Sequence, residues 1–222
     1  MMIEIAEVMS RDEARLCRER LAGAGWRDGR LSAGEVAARV KSNDQLPDVD
    51  PVAADLTALV LERVGASPHF IAAALPLRIV PPRFNRYRGG GAYGPHIDNA
   101  VFAIPGQTEV VRSDLSATLF LSEPDEYDGG ELVLGGERVK LPAGHLILYP
   151  SGAVHNVEPV TRGERLAAFF WVQSMVRDAQ QSAMLFELDE TIQTLRAAGS
   201  DDAPVTRLIG LYHNLLRAWA DV

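Results

Sequence analysis

The sequence predicts a mainly β domain of jelly-roll type flanked by helices, an α+β chain, and three observations lead there. Short runs rich in β-branched and aromatic residues, each closed by Gly or Pro, follow one another from about Ile71 to Val172. No helical crossover separates these runs, so their sheets should be mainly antiparallel. Helical periodicity is confined to the two ends of the chain.

In chain order, Ser10 with Glu13 three residues later is a capping-box pattern that opens a helix running to about Leu21, where Gly23 and Gly25 stop it. Asp50-Pro51 opens a second helix, with proline at the first helical position and Leu56, Leu59, Val60 and Val64 on one face. The front of the chain, residues 1–70, therefore reads as mostly helical and packed on the barrel. Strands are expected at Leu77 to Val80, Phe84 to Tyr87, Leu115 to Leu121, Glu131 to Leu134, His145 to Tyr149, Val154 to Val157 and Arg165 to Val172, within a core of residues 71–177. After Met175 the helical period returns. Leu185, Leu188, Ile192 and Leu195 form one stripe and Leu208, Leu211, Leu215 and Trp219 another, joined by a turn at Gly199 to Pro204. Residues 178–222 thus read as a helical hairpin, expected to cap the barrel, with homodimerisation through its apolar stripe as the alternative use.

The 222 residues suffice for one sizeable core, and 47% hydrophobic with 23% charged residues is the balance of a globular protein. A net charge of -8 and the lack of any Lys/Arg run argue against nucleic acid and anionic membranes as partners. Cys17 is the single cysteine, so neither an internal disulfide nor a thiolate cluster can form, and any metal must take N and O ligands. No signal-like N-terminus or membrane-length apolar run is visible, so a cytoplasmic protein is expected.

The segment Tyr93-Gly94-Pro95-His96-Ile97-Asp98-Asn99 carries the chemistry. In an extended chain alternate side chains share a face, so His96 and Asp98 can offer one ion an imidazole nitrogen and a carboxylate oxygen. His155, in a turn leading into a strand, is the candidate third ligand, since a jelly roll can bring distant strands together. Two histidines and a carboxylate on one face of an octahedron suit a non-haem iron(II) that activates oxygen, with open positions left for other ligands. Arg165, in the otherwise apolar run Leu166-Ala167-Ala168-Phe169-Phe170-Trp171, needs an anionic partner if it faces the barrel interior. The far carboxylate of a 2-oxoglutarate cosubstrate would supply it. His69, His145 and His213 lack a comparable carboxylate neighbour and read as structural or exposed. Gly89-Gly90-Gly91 lacks a P-loop context and reads as a flexible lip beside the metal, and the acidic run Glu123 to Asp128 as a solvated loop.

Several segments together resemble the PKHD-type hydroxylases, bacterial relatives of the prolyl and lysyl hydroxylases. They are Phe84-Asn85-Arg86-Tyr87, Tyr93 through Ala100, Asp114 through Leu121, Tyr127-Asp128-Gly129-Gly130-Glu131-Leu132, Leu141-Pro142-Ala143-Gly144 and Phe170 through Asp178. The resemblance spans almost the whole chain, including Trp26-Arg27-Asp28-Gly29 and the helical tail. It implies a double-stranded β-helix, iron(II) on His96, Asp98 and His155, 2-oxoglutarate on Arg165, O2 as co-reactant and L-ascorbate as a reductant. It also suggests Tyr87 as a further cosubstrate contact, the alternative being a strand tyrosine packed in the core. Phe120 departs from those prolyl hydroxylases that offer a second tyrosine on the following strand. The expected reaction is hydroxylation of an unidentified substrate, a protein or peptide side chain or a small molecule, coupled to decarboxylation of 2-oxoglutarate to succinate and CO2. Two other uses of the same triad stand beside it: a cupin-like metal isomerase or hydrolase, and a non-catalytic jelly-roll module keeping a structural ion.

Overall fold

The computed structural model describes residues 2–32, 34–104, 108–200 and 202–222. Two antiparallel sheets face each other. The larger, of eight strands, runs in the order Ile3–Ile5, Leu146–Pro150, Leu115–Phe120, Glu164–Ser174, Arg83–Arg88, Asp44–Gln45 and Arg27–Asp28, with Pro76–Ile79 also paired to Glu164–Ser174. The smaller, of five strands, runs Glu137–Val139, Leu132–Leu134, His155–Val157, Ala92–His96 and Lys41–Ser42. This is the expected jelly roll, and every one of the seven sequence-predicted strands is present within one residue of its expected bounds, save that Glu164–Ser174 ends two residues further on.

The long strand Glu164–Ser174 shows how sequence becomes architecture. Successive side chains point to opposite faces. Leu166, Ala168, Phe170 and Val172 enter the main apolar core, where they meet the helices Arg11–Ala22, Pro51–Ala66 and Pro68–Ala74. Arg165, Phe169 and Trp171 face the opposite way and line a cavity between the sheets. A second apolar cluster, including Tyr87, Phe120, Leu132, Ile147 and Val157, joins the two sheets beneath that cavity. One face of the larger sheet thus holds the fold together and the other presents chemistry.

Helix starts follow the local signals. Ser10 accepts from Glu13 N while the Glu13 side chain accepts from Ser10 N at 2.9 Å, completing the capping box, and Asp50 accepts from Val52 N ahead of Pro51. The front of the chain differs from expectation in also supplying Ile3–Ile5, Arg27–Asp28, Lys41–Ser42 and Asp44–Gln45 to the sheets. Strands of two or three residues are too short to display a period, and their pairing is set by the longer strands beside them.

The tail forms helices Ala179–Ala197 and Asp202–Trp219, the first capped by Asp178. Pro204 sits in the first turn of the second helix, where its missing N–H costs nothing, so the connection is shorter than the expected Gly199 to Pro204 turn; residue 201 lies outside the described residues. Leu185 packs with Leu75 and Val176, and Tyr212, Leu215, Leu216 and Trp219 close over them, while Leu211 is about half exposed. Gly89-Gly90-Gly91 is not a loose lip. Gly89 and Gly90 take positive φ, Gly90 N donates to Val160 O at 2.8 Å, and Gly91 O accepts from Val160 N at 3.0 Å. The turn joins Arg83–Arg88 to Ala92–His96 at the end of the latter strand away from His96.

Phe170 is 1% exposed and tilts against Phe70 at a centroid distance of 6.1 Å. Phe170→Ala should therefore cost about 3–5 kcal/mol in urea unfolding; a loss under about 1 kcal/mol would show that this face does not carry the stability assigned to it.

Candidate active site

The strands His155–Val157 and Ala92–His96 pair antiparallel with His155 directly opposite His96, and their rings lie 4.2 Å apart. The strand stops at His96, so Asp98 is placed by the following loop rather than by strand alternation. It is anchored by Ser116, whose Oγ donates to Asp98 Oδ2 at 2.6 Å and is hydrogen-bonded to Ser151 Oγ at 2.8 Å. The three side chains converge: one ligand atom from each of His96, Asp98 and His155 lies within 4.8 Å of the others.

The separations are informative. His96 Nε2 is 3.9 Å from Asp98 Oδ1 and His155 Nε2 is 3.8 Å from Asp98 Oδ2, too long for direct hydrogen bonds. Each imidazole instead donates through Nδ1 to a backbone carbonyl, His96 to Gly94 O at 2.9 Å and His155 to Ala153 O at 3.0 Å. That fixes the tautomer and leaves each Nε2 lone pair turned to the shared centre, the arrangement of a metal-ligating histidine. Burial, then the neighbouring His155, hold His96 well below the usual imidazole range, which favours the neutral, ligating form. Tyr93 stacks on His96 at 3.6 Å and Tyr149 meets His155 edge-on at 5.1 Å, which restrains both rings.

Arg165 lines the same cavity. It is 1% exposed, and its Nε has no hydrogen-bond partner. Among the described residues no carboxylate stands within ion-pair distance of it. The guanidinium is held between the rings of Phe120 (5.1 Å) and Tyr87 (5.4 Å). A buried cation without its counter-charge is costly, and an anionic ligand fits the gap. Tyr87 is fully buried across from Arg165 in the strand register, and burial pushes its phenol up to about 12, so it is a neutral hydroxyl at physiological pH. The donor set and this orphaned nitrogen suit iron(II) with a dicarboxylate beside it.

The other histidines stand apart. His69 stacks on Phe186 at 5.6 Å, His145 contacts Glu4 at 3.3 Å and His213 packs edge-on to Tyr212. The acidic run is tied down by Arg11 to Glu123, Arg18 to Glu126 and Arg162 to Asp128. Sequence reasoning missed Ser116, Ser151, Lys41 and Asn85. The signal for Ser116 was present: Ser116 and Thr118 alternate with Ala117 and Leu119 in a buried strand, which marks a polar inner face.

Residues 82–173 match the family model of the 2OG-Fe(II) oxygenase superfamily, and residues 178–221 match that of the PKHD-type hydroxylase C-terminal domain. A PKHD-type hydroxylase of Nitrobacter winogradskyi is 57% identical over 221 residues, covering 98% of both chains. The chain belongs to the PKHD-type hydroxylases. One from Parvibaculum lavamentivorans is 52% identical over the full length of both chains. Among solved structures, a Pseudomonas putida prolyl-4-hydroxylase is similar with a TM-score of 0.51 and 22% identity, over 78% of this chain and 92% of that one. HygX from Streptomyces hygroscopicus, solved with nickel and 2-oxoglutarate bound, gives 0.52 and 16% over 76% and 81%. These two share the fold. This PKHD-type hydroxylase is an iron(II)- and 2-oxoglutarate-dependent dioxygenase.

Ser116→Ala should lower iron(II) affinity roughly ten- to a hundredfold with the fold intact, because Asp98 loses the hydroxyl that orients it. Metal titration of the folded variant checks this, and wild-type affinity would remove Ser116 from the support of the centre.

Proposed function

We propose that His96, Asp98 and His155 hold the iron(II) of this hydroxylase and that Arg165 holds the C5 carboxylate of 2-oxoglutarate, with Tyr87 as a donor beside it. The observation that carries the reading is the buried Arg165, its Nε without a partner, in the same cavity as the His-Asp-His cluster. A lone metal cluster would serve several chemistries; a buried guanidinium awaiting a carboxylate narrows them to one.

Bound iron(II) supplies the activation of dioxygen that couples 2-oxoglutarate decarboxylation to hydroxylation of the second substrate. The chain's own residues do the rest. Arg165 presents a planar fork that can pair two N–H groups with one carboxylate, and the rings of Phe120 and Tyr87 keep it from turning away. Ser116 and Ser151 hold Asp98 in place. At the cavity wall, Phe102 stacks on Trp171 at 3.9 Å and Phe169 meets Trp171 edge-on, an apolar surround that limits water around the reacting groups. No side-chain nucleophile or general base is needed.

The three-part division into 1–70, 71–177 and 178–222 is part of this reading, with the middle part carrying the proposed metal ligands and Arg165. L-ascorbate is proposed as the reductant and the cytoplasm as the compartment; among the described residues no helix is long and apolar enough to cross a membrane. The second substrate is a protein or peptide side chain or a small molecule.

Arg165→Ala should raise the 2-oxoglutarate KM about 10- to 100-fold, the loss expected for a charge-assisted bidentate pair, while iron(II) still binds. Succinate formation at varied 2-oxoglutarate reads this out, and an unchanged KM would take Arg165 out of its assigned role.

A further inference from the structure

One wall of the cavity carries buried polar side chains that neither the metal cluster nor the Arg165 end uses. Lys41 is 8% exposed, Gln45 7% and Asn85 8%. The sheet register assembles them: Lys41 lies opposite Tyr93 in the smaller sheet, and Gln45 lies opposite Asn85 in the larger. Lys41 Nζ donates to Gln45 Oε1 at 3.2 Å and to Ser32 Oγ at 3.3 Å. An ammonium has three protons, so one remains. Among the described residues no carboxylate stands within ion-pair distance of Lys41. Asn85 Oδ1 is buried with no partner.

Both groups line the same cavity as the metal cluster. Lys41 Nζ stands 5.2 Å from the Tyr93 ring, and that ring stacks on His96 at 3.6 Å, so the ammonium is one ring away from the candidate metal ligands. Arg83, inward-facing two residues before Asn85, adds positive charge, partly offset by Asp48 at 3.1 Å. Burial, then Arg83, press the lysine down to about 8, against the opposing pull of Asp98 and Asp28. The wall thus offers a cation with a proton to give and, across Gln45, a carbonyl oxygen with a lone pair to fill.

We propose that Lys41 and Asn85 form the subsite for the second substrate, and that this substrate is an amino-acid-sized zwitterion whose carboxylate pairs with Lys41 and whose ammonium donates to Asn85 Oδ1. Gln45 and Ser32 hold the lysine in place. With only the Tyr93 ring between Lys41 and His96, a short molecule is called for, since the carbon to be hydroxylated must reach the metal side while the charged end stays on this wall. The inference rests on the dioxygenase reading of the same cavity and adds the class of substrate.

The test uses the holoenzyme, loaded with iron(II) and 2-oxoglutarate under argon and titrated calorimetrically with the twenty common L-amino acids. Each amino acid that binds is then compared with its carboxamide and its N-acetyl derivative. The expected result is at least one amino acid that binds ten or more times more tightly than either derivative. Lys41→Met should erase the preference over the carboxamide, and Asn85→Leu the preference over the N-acetyl form. Absence of any amino-acid binding overturns the proposal, as does a preference over the carboxamide that survives in Lys41→Met. A Lys41→Met variant that loses 2-oxoglutarate binding as well would assign the lysine to the cosubstrate and equally overturn it. Should that variant not fold, the wild-type comparison and Asn85→Leu decide. Succinate formation by the aerobic wild type separates the two levels: succinate without amino-acid binding overturns the subsite alone, and no succinate overturns the dioxygenase reading with it.

Discussion

The site depends on the antiparallel pairing that sets His155 opposite His96. These residues are far apart in sequence, and only the register of His155–Val157 against Ala92–His96 brings their rings to 4.2 Å. A slip of one residue between these strands would leave the two imidazoles on opposite faces of the sheet and abolish the cluster. The register is therefore protected on both sides, by Leu132–Leu134 pairing with His155–Val157 and by Lys41–Ser42 pairing with Ala92–His96. The second of these strands also delivers Lys41 to the cavity, so one ladder positions two metal-ligand candidates and the proposed substrate anchor.

The larger sheet solves a different problem. Its long strand must bury Leu166, Ala168, Phe170 and Val172 against helices while presenting Arg165 on the reverse face. Strand alternation does both at once, and it explains why an arginine is tolerated at 1% exposure: the apolar face supplies stability that offsets the cost of the cation. The packing of Tyr87 and Phe120 against the guanidinium then restrains the group proposed to receive the cosubstrate carboxylate.

Much of this was legible in the sequence where side-chain pattern and local geometry agree. Leu115–Phe120 and Glu164–Ser174 are long enough to show their character, and the capping signals at Ser10 and Asp50 mark helix starts within a residue. The His96–Asp98 spacing pointed to a shared centre, although Asp98 reaches it from a loop. What stayed hidden depends on contacts between distant segments. Lys41 and Asp44–Gln45 lie in two-residue strands with no readable period, and a lysine in such a stretch looks like any surface lysine until the sheets enclose it. Gly89-Gly90-Gly91 suggested looseness by composition, whereas its amide and carbonyl bonds to Val160 pin it.

The proposed roles of His96, Asp98, His155 and Arg165 require one cavity to bind iron(II) and 2-oxoglutarate together. Anaerobic titration of the iron(II) protein with 2-oxoglutarate, followed in the visible, tests it most directly. A weak, saturable charge-transfer band is expected, appearing only when both are present and missing in Asp98→Ala. A wild-type protein that binds iron(II) yet develops no such band would contradict it.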